Sequence, residues 1–332
     1  MSLLRREIGQ SGLVASAIGL GTWAIGGTEW GGADDAASIR AIQAALDEGV
    51  DLIDTAPIYG FGRAERIVGE AIRGRRDKVI LATKCGLVWD AREGQFFFAN
   101  AHGEVFRHLG AAAIRRQLEA SLTRLGVDCI DLYQTHWQDS TTPIAETMGA
   151  LGDLQREGKI RAIGVSNVTP AQLEDYAACG AVASAQEQYS MLDRRHEADL
   201  LPLCEKANIG FLAYSPLAMG LLSGRMTAER RFAPGDARGG SPRFSPAVID
   251  AVNGFLASVK PIADAHGASL AQLALAWTLA RPGVTHVLSG ARDAGQAKEN
   301  IAAARLALDE DEMGAITARL DAAQLSAPQL YG

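Results

Sequence analysis

The sequence predicts a single (β/α)8 barrel, a TIM barrel of the α/β class, with an N-terminal β-hairpin and an extra C-terminal helix. Three observations carry this expectation. Short apolar runs alternate with amphipathic helical stretches along the 332 residues, and the runs are apolar on both sides, as parallel strands buried on two faces must be. Eight such strand–helix units in a chain of this length is the arithmetic of a barrel. No Ser/Pro-rich linker or shift in composition divides residues 1–332, so they read as one domain rather than a doubly wound sheet with a second domain.

Residues Leu3–Val14, with a Gln-Ser-Gly turn, read as a hairpin ahead of the first barrel strand, placed to plug the barrel's far end. Barrel strands are expected at Ala17–Leu20, Asp51–Asp54, Val79–Thr83, Ile130–Gln134, Ala162–Val165, Ala183–Gln186, Gly210–Ala213 and Thr285–Leu288. Helices fill the gaps. Ala36–Glu48 stops at Gly49, Ala64–Arg73 at Gly74 and Ile144–Glu157 at Gly158, glycine being the usual helix C-cap. Ala111–Leu125 sets Ile114, Leu118, Leu122 and Leu125 on one face and stops at Gly126. Thr169-Pro170 supplies an N-cap and a first-turn proline for a helix through Ala178. A further helix, Asp309–Ala322, follows the barrel. Two connections exceed plain barrel turns: Gly86–Gly110, containing Phe96-Phe97-Phe98, and Leu217–Pro246, rich in Gly, Arg and Pro. Both follow strands, on the face where barrel enzymes keep their sites, and long irregular segments in a compact domain are usually functional or disordered.

Composition narrows the classes of function. Hydrophobic residues make up 48% and charged residues 21%, with a mean hydropathy of +0.02, which suits a sizeable core and excludes a disordered chain or a coiled coil. A net charge of −7 and a pI near 5.5 argue against a nucleic-acid partner or an anionic membrane surface. No apolar run approaches the roughly 18 residues a membrane span needs, and Arg5, Arg6 and Glu7 interrupt any signal-like segment. Cys85, Cys129, Cys179 and Cys204 form no CxxC pair and read as free thiols in a reducing compartment. The expected location is the cytoplasm. The histidines show neither HExxH nor Cys/His pairing, so no metal site is expected.

Gly19-Leu20-Gly21-Thr22-Trp23-Ala24 matches the GxGxxA dinucleotide fingerprint. That motif needs a helix opening at its end and an acidic residue about 20 positions on. Here Ile25-Gly26-Gly27-Thr28 follows, a poor helix start, and the next strand ends only at Asp54. The Rossmann reading is set aside.

Side chains at the carboxyl ends of barrel strands converge on one mouth. In order these are Asp54, Lys84, His136, Ser166-Asn167, Gln186, Tyr214-Ser215 and Gly290-Ala291-Arg292. Lys84 lies one strand from Asp54, so the two are placed to pair across the rim. Tyr59, five residues past Asp54, sits in a loop able to fold back over the mouth. A phenol titrates near pH 10, and a neighbouring ammonium is expected to bring that value down, fitting Tyr59 to protonate a developing alkoxide. His136 is placed to hydrogen-bond the same oxygen. Taken singly, each residue has an ordinary role: Asp54 a cap, Tyr59 a loop aromatic, Lys84 a solvated charge, His136 a core histidine. Their coincidence at separate strand ends points to chemistry.

Asp54-Thr55-Ala56-x-x-Tyr59-Gly60, the Val79–Lys84 strand, Asp131-Leu132-Tyr133-Gln134-x-His136-Trp137, Gly158–Asn167 and Tyr214-Ser215-Pro216-Leu217 together resemble the aldo-keto reductase family, in family order from about residue 5 to 320. The resemblance, closest to bacterial-type NADP-dependent members, implies a barrel that binds NADP(H) or NAD(H) and a catalytic tetrad of Asp54, Tyr59, Lys84 and His136. It implies that Ser166, Asn167 and Gln186 bind the nicotinamide carboxamide, with Tyr214 stacked on the ring and Asp54 also at the cofactor. Ser215, Leu217, Gly220 and Leu222 would follow the pyrophosphate, and Gly21, Thr22 and Trp23 would lie beside the nicotinamide and substrate cleft. Gly290, Ala291, Arg292, Gln296, Glu299 and Asn300 correspond to the adenosine end. A helix opening near Asp293 would turn its amino end to the adenosine phosphate. Arg292, a planar fork suited to a 2′-phosphate, favours NADP(H) over NAD(H).

The implied reaction is hydride exchange between nicotinamide and a carbonyl or alcohol. Trp23, Trp89 and Trp137 follow strands and are placed to wall the substrate pocket with Tyr59 and His136, although Trp89 equally suits outer-loop packing. Phe96–Phe98 and the Arg-rich stretch 225–243 are candidates to close over substrate or cofactor. Gln138, Asp139 and Arg63 would suit a sugar or polyol, so the substrate reads as a small aldehyde, ketone, alcohol or sugar. Two other functions fit these residues: a cofactor-binding regulatory subunit on the same barrel, and a barrel enzyme using Lys84 as a Schiff base.

Overall fold

A computed structural model gives the fold and describes residues 3–325. The chain enters through an antiparallel hairpin, β1 (Arg5–Glu7) with β2 (Val14–Ser16). The barrel strands are β3 (Ile18–Gly21), β4 (Leu52–Asp54), β5 (Ile80–Cys85), β9 (Ile130–Thr135), β10 (Ile160–Ser166), β11 (Ser184–Gln188), β12 (Gly210–Tyr214) and β13 (Val284–Gly290). All are parallel to their neighbours and close in the order β10-β11-β12-β13-β3-β4-β5-β9. Every expected strand is present, with ends moved by a residue or two. The extensions run toward the mouth because the ladder continues into polar residues: Cys85 pairs with Thr135, Ser166 with Gln186 and Ser289 with Leu20.

The remaining strands, β6 (Leu87–Val88), β7 (Gln95–Asn100) and β8 (Gly103–Arg107), correct the reading of Gly86–Gly110 as an irregular loop. They form a three-stranded antiparallel sheet in the order β6-β8-β7. Its pattern is hidden because the register shifts between Phe96 and Phe98, which breaks the period-two alternation of a strand.

Helices pack outside. They are α2 (Asp35–Asp47), α3 (Arg63–Ala71), α4 (Ala111–Leu125), α5 (Ile144–Arg156), α6 (Pro170–Cys179), α7 (Leu200–Ala207), α8 (Pro246–Ala265), α9 (Leu270–Ala280), α10 (Ala294–Ala302) and α11 (Glu310–Ala322), with a single turn, α1 (Trp23–Gly26), after β3. Their caps follow the side chains: Thr169 and Gln172 form a reciprocal capping box on α6, and Asp309 and Glu312 do so on α11. Helix α9 was invisible to helical periodicity because it is apolar nearly all round, with everything from Leu273 to Leu279 buried.

Two cores result. One lies between strands and helices. The other fills the barrel's lower half, where Leu52, Ala82, Leu132 and Leu212 point inward against Ile8 and Leu13 of the hairpin. The hairpin therefore plugs that end, and the opposite end is left for polar groups.

Candidate active site

Asp54 ends β4 and Lys84 lies near the end of β5, so adjacent strands deliver them side by side. Lys84 Nζ donates to Asp54 Oδ2 at 2.7 Å, to Asp54 Oδ1 at 2.9 Å and to the Thr55 carbonyl at 3.0 Å. The fourth neighbour is the Tyr59 hydroxyl at 3.4 Å. Lys84 is fully buried and Asp54 3% exposed. Tyr59 is carried by the turn between β4 and α3, where the backbone of Gly26 meets it closely: a Cβ on Gly26 would stand 2.6 Å from the Tyr59 carbonyl carbon. His136 follows β9, its amide held by the Cys85 carbonyl at 2.8 Å, and its ring lies edge-on to Tyr59 with centroids 5.8 Å apart.

Charge at this mouth is tightly set. Burial, and then the nearby Lys84, hold the His136 imidazole well below its ordinary value, so it is neutral at neutral pH. Burial lowers Lys84 while Asp54 opposes that shift. The Tyr59 phenol is pushed up, by burial first and then by Asp54 and Glu29. This corrects the expectation that Lys84 brings it down. The ammonium is 2.7–2.9 Å from the Asp54 oxygens and 3.4 Å from the phenol, so the carboxylate cancels most of its field there.

Two cavities meet at Tyr59. The smaller, about 260 Å³, is lined by Tyr59, His136, Trp23, Trp137, Phe97 and Phe98 among others. The longer, about 320 Å³, runs from Tyr59 and Asp54 past Gly21, Thr22 and Trp23, along Ser215, Leu217 and Gly220, to Gly290, Arg292, Gln296, Glu299 and Asn300. Tyr59, Trp23 and Tyr214 line both.

Ser166, Asn167 and Gln186 line the smaller cavity and are already engaged. Ser166 Oγ donates to the Gln186 carbonyl at 2.7 Å, and Asn167 Nδ2 donates to the His136 carbonyl at 2.9 Å. Tyr214 donates its hydroxyl to Asn167 Oδ1 at 2.9 Å, and Gln186 Nε2 donates to Asp54 Oδ1 at 2.8 Å. Leu222 and Ala291 are buried and stand off the wall of the long cavity among the described residues. Trp89 stands off both cavities, its ring edge-on to Phe61 at 5.5 Å, which is the outer-loop packing. Gln138 and Asp139 serve the fold: Gln138 is hydrogen-bonded to the Ser166 carbonyl and the Tyr176 hydroxyl, and Asp139 to Thr141, Thr142 and the Leu109 amide. Arg63 pairs with Asp35. These three do not face a substrate. The amino end of α10 is taken by the Asp293 carboxylate, which accepts from the Gln296 amide at 2.9 Å, so an anion meets competition there.

Several residues were missed. Gln134 donates to Asp54 Oδ1 at 3.2 Å from inside the barrel; strand alternation with Leu132 and His136 would have pointed it inward, where a polar group needs a partner. Glu29 lines the smaller cavity and accepts from the Trp23 indole at 2.9 Å. Ala218 and Met219 carry positive φ of 47° and 54°, as does the already named Ser215 at 54°, beside the long cavity, a strain that points to function and that no residue type announced. The stretch 225–243 does reach the long cavity, through Arg225, Arg230 and Arg238. It is tied to the opposite rim by the Ala237 amide donating to the Glu29 carbonyl at 2.9 Å.

A family model described as the aldo/keto reductase family matches residues 17–321. The chain belongs to the aldo-keto reductase family. Among curated proteins, this aldo-keto reductase is 44% identical to aldo-keto reductase YhdN of Bacillus subtilis over 87% of the chain and 85% of that protein. It is 41% identical to the NADH-specific methylglyoxal reductase of Escherichia coli over 91% and 94%. Among solved structures, the glycerol dehydrogenase AKR11B4 from Gluconobacter oxydans matches with a TM-score of 0.86 at 39% identity, covering 96% of the chain and 95% of that protein. An aldo/keto reductase from Klebsiella pneumoniae, solved with NADP and acetate, matches at 0.70 and 32% identity, covering 94% of each. Membership makes the chain an oxidoreductase of the class that uses a nicotinamide cofactor on small carbonyl compounds. Among the described residues no helix is long and apolar enough to cross a membrane, and no group of three or more potential metal ligands is found.

Proposed function

We propose that the chain reduces small aldehydes and ketones, hydroxylated ones included, with NADP(H), and that Tyr59 moves the proton at the carbonyl oxygen. The observation that carries this reading is the position of Tyr59 on the wall shared by a small aromatic cavity and a long cavity, with its hydroxyl beside Lys84. The long cavity has the chemistry a dinucleotide phosphate needs. Its far part is lined by Arg225, Arg230, Arg238 and Arg292. Arg225 is paired with Glu299 and Arg238 with Asp236, and Arg292 donates to the Gly32 carbonyl through Nη2. Although the Arg292 charge is felt by Asp236, neither Arg230 nor Arg292 forms a salt bridge among the described residues, which supports a 2′-phosphate at that end. A bound nicotinamide supplies the hydride.

The chain's own residues do the rest. Neutral His136 orients the carbonyl oxygen by hydrogen bonding, and Tyr59 gives it a proton. Lys84 holds the phenol in place, and Asp54 fixes Lys84 with help from Gln134 and Gln186. Trp23, Trp137, Phe97 and Phe98 exclude water. Ser166, Asn167 and Tyr214 would recognise the nicotinamide ring and its carboxamide. A Schiff base at Lys84 is disfavoured, because that amine is buried behind Tyr59 with two carboxylate oxygens on it.

The test is reduction of a panel of neutral aldehydes with NADPH and with NADH, followed by absorbance of the reduced nicotinamide, then repeated with Tyr59→Phe. We expect kcat to fall by about 10²–10⁴ in the variant while NADPH still binds by fluorescence titration. Arg292→Ala should weaken NADPH about tenfold or more and leave NADH nearly unaffected. Full turnover in Tyr59→Phe would overturn the assignment, and cofactor binding without turnover in the parent protein would favour a regulatory subunit.

A further inference from the structure

We propose that Glu29 makes the substrate cavity selective for neutral carbonyl compounds and excludes those that carry a carboxylate. The proposal rests on the reading of that cavity as the carbonyl site. Glu29 is the one formally charged residue on its wall among the described residues. Its carboxylate takes the Trp23 indole N–H on Oε2 at 2.9 Å, and no salt bridge to it forms among the described residues. No hydrogen bond to the other oxygen is found among the described residues. The backbone is fixed from behind: the Ala237 amide donates to the Glu29 carbonyl at 2.9 Å, and Trp30 forms a bridge with Asp236. The carboxylate itself is held by the Trp23 indole.

Nothing in the cavity offsets it. The Asp54–Lys84 pair is neutral as a unit, and burial keeps His136 uncharged. Among the described residues, Arg107 stands off the wall with its guanidinium carbon 3.9 Å over the Phe97 ring, and Arg238 stands off it 4.7 Å over the Trp30 ring, its charge paired with Asp236. A substrate carboxylate entering here would meet an uncancelled like charge behind aromatic walls. Trp23, Trp137 and Phe97 offer flat apolar surface for the carbon skeleton.

The experiment compares kcat/KM for butanal and for succinic semialdehyde, which differ by a terminal carboxylate, in the parent protein, Glu29→Gln and Glu29→Ala. The amide in Glu29→Gln still accepts from Trp23, so the charge is the main thing removed. Like-charge repulsion across such a cavity is worth about tenfold or more. We expect the parent to prefer butanal by at least about tenfold, and that preference to shrink by about tenfold in both variants. A preference unchanged within about threefold in both variants, or a parent that favours succinic semialdehyde, would overturn the proposal while leaving carbonyl reduction intact. A parent that reduces no aldehyde with either nicotinamide would overturn the reading of the site as well.

Discussion

Lys84→Met removes the ammonium from the barrel mouth and keeps the length of the side chain. In the parent protein the Asp54 carboxylate is 3% exposed and Lys84 fully buried. After the substitution Asp54 keeps only the Gln134 and Gln186 amides, both on Oδ1, and Oδ2 loses its 2.7 Å contact. Stripping one partner from a buried ion pair costs about 3–5 kcal/mol, a large fraction of a total stability of about 5–15 kcal/mol. Adding Asp54→Asn removes the stranded charge, and the asparagine carbonyl still accepts from both glutamines. The double variant should therefore recover about 2 kcal/mol or more relative to the sum of the two single changes. Urea unfolding followed by tryptophan fluorescence, with all four proteins at one pH, gives the numbers. Activity should not recover with stability, because Tyr59 has lost its neighbour in both lysine variants. A single Lys84→Met loss below about 1 kcal/mol, or strict additivity, would refute the picture of a desolvated, coupled pair.

Other consequences follow from close contacts and from burial. Gly26→Ala puts a methyl 2.6 Å from the Tyr59 carbonyl carbon and 2.7 Å from the Gly60 amide. It should cost about 1–3 kcal/mol in unfolding free energy and, by displacing the tyrosine, about 10²-fold in kcat. Gly254→Ala, with open space around its Cβ, is the control and should stabilise by about 0.4–1 kcal/mol. His286 is fully buried inside the barrel and burial lowers its pKa to about 4. The unfolded chain, titrating near 6.5, binds the proton that the folded protein refuses, so stability is lost as pH falls from about 6.5 to 4. The loss is about 3 kcal/mol, and His286→Gln should flatten that part of the curve of urea midpoint against pH.

The barrel was legible because its strands are apolar on both faces and end abruptly in a polar residue. That signature placed Asp54, Lys84 and His136 at one mouth, and the structure brings them together with Tyr59. What was not legible has physical reasons. Trp89 follows a strand as Trp23 and Trp137 do, and only the antiparallel sheet that turns it behind Phe61 separates it from them. Leu222 and Ala291 lie in segments that follow the long cavity, but their own side chains are buried in the core, which chain position does not reveal. Glu29 sits in a turn with no periodicity, and its place on the cavity wall depends on contacts from residues 236–237, some two hundred positions away. The direction of the Tyr59 shift was misjudged because pairing Lys84 with Asp54 also spends the charge that was to act on the phenol.

In the proposed reaction, with Tyr59 as its proton donor and acceptor, that high phenol pKa would set the two directions apart. With burial, Asp54 and Glu29 all pushing it up from its ordinary value near 10, Tyr59 holds its proton throughout the neutral range. Reduction needs a donor, and an alkoxide is a stronger base than any phenolate, so a high pKa leaves that transfer downhill. Oxidation needs the phenolate as a base, and the fraction present rises about tenfold per pH unit below the pKa. The reductive kcat should therefore be flat from about pH 6 to 9, while the oxidative kcat climbs steadily over about pH 7 to 10. Glu29→Gln, which removes one of the charges raising the phenol, should move the oxidative climb to lower pH. A reductive profile that falls with an apparent pKa near 7–8 would mean that the phenol is acidified after all, and that Lys84, not burial and the carboxylates, governs it.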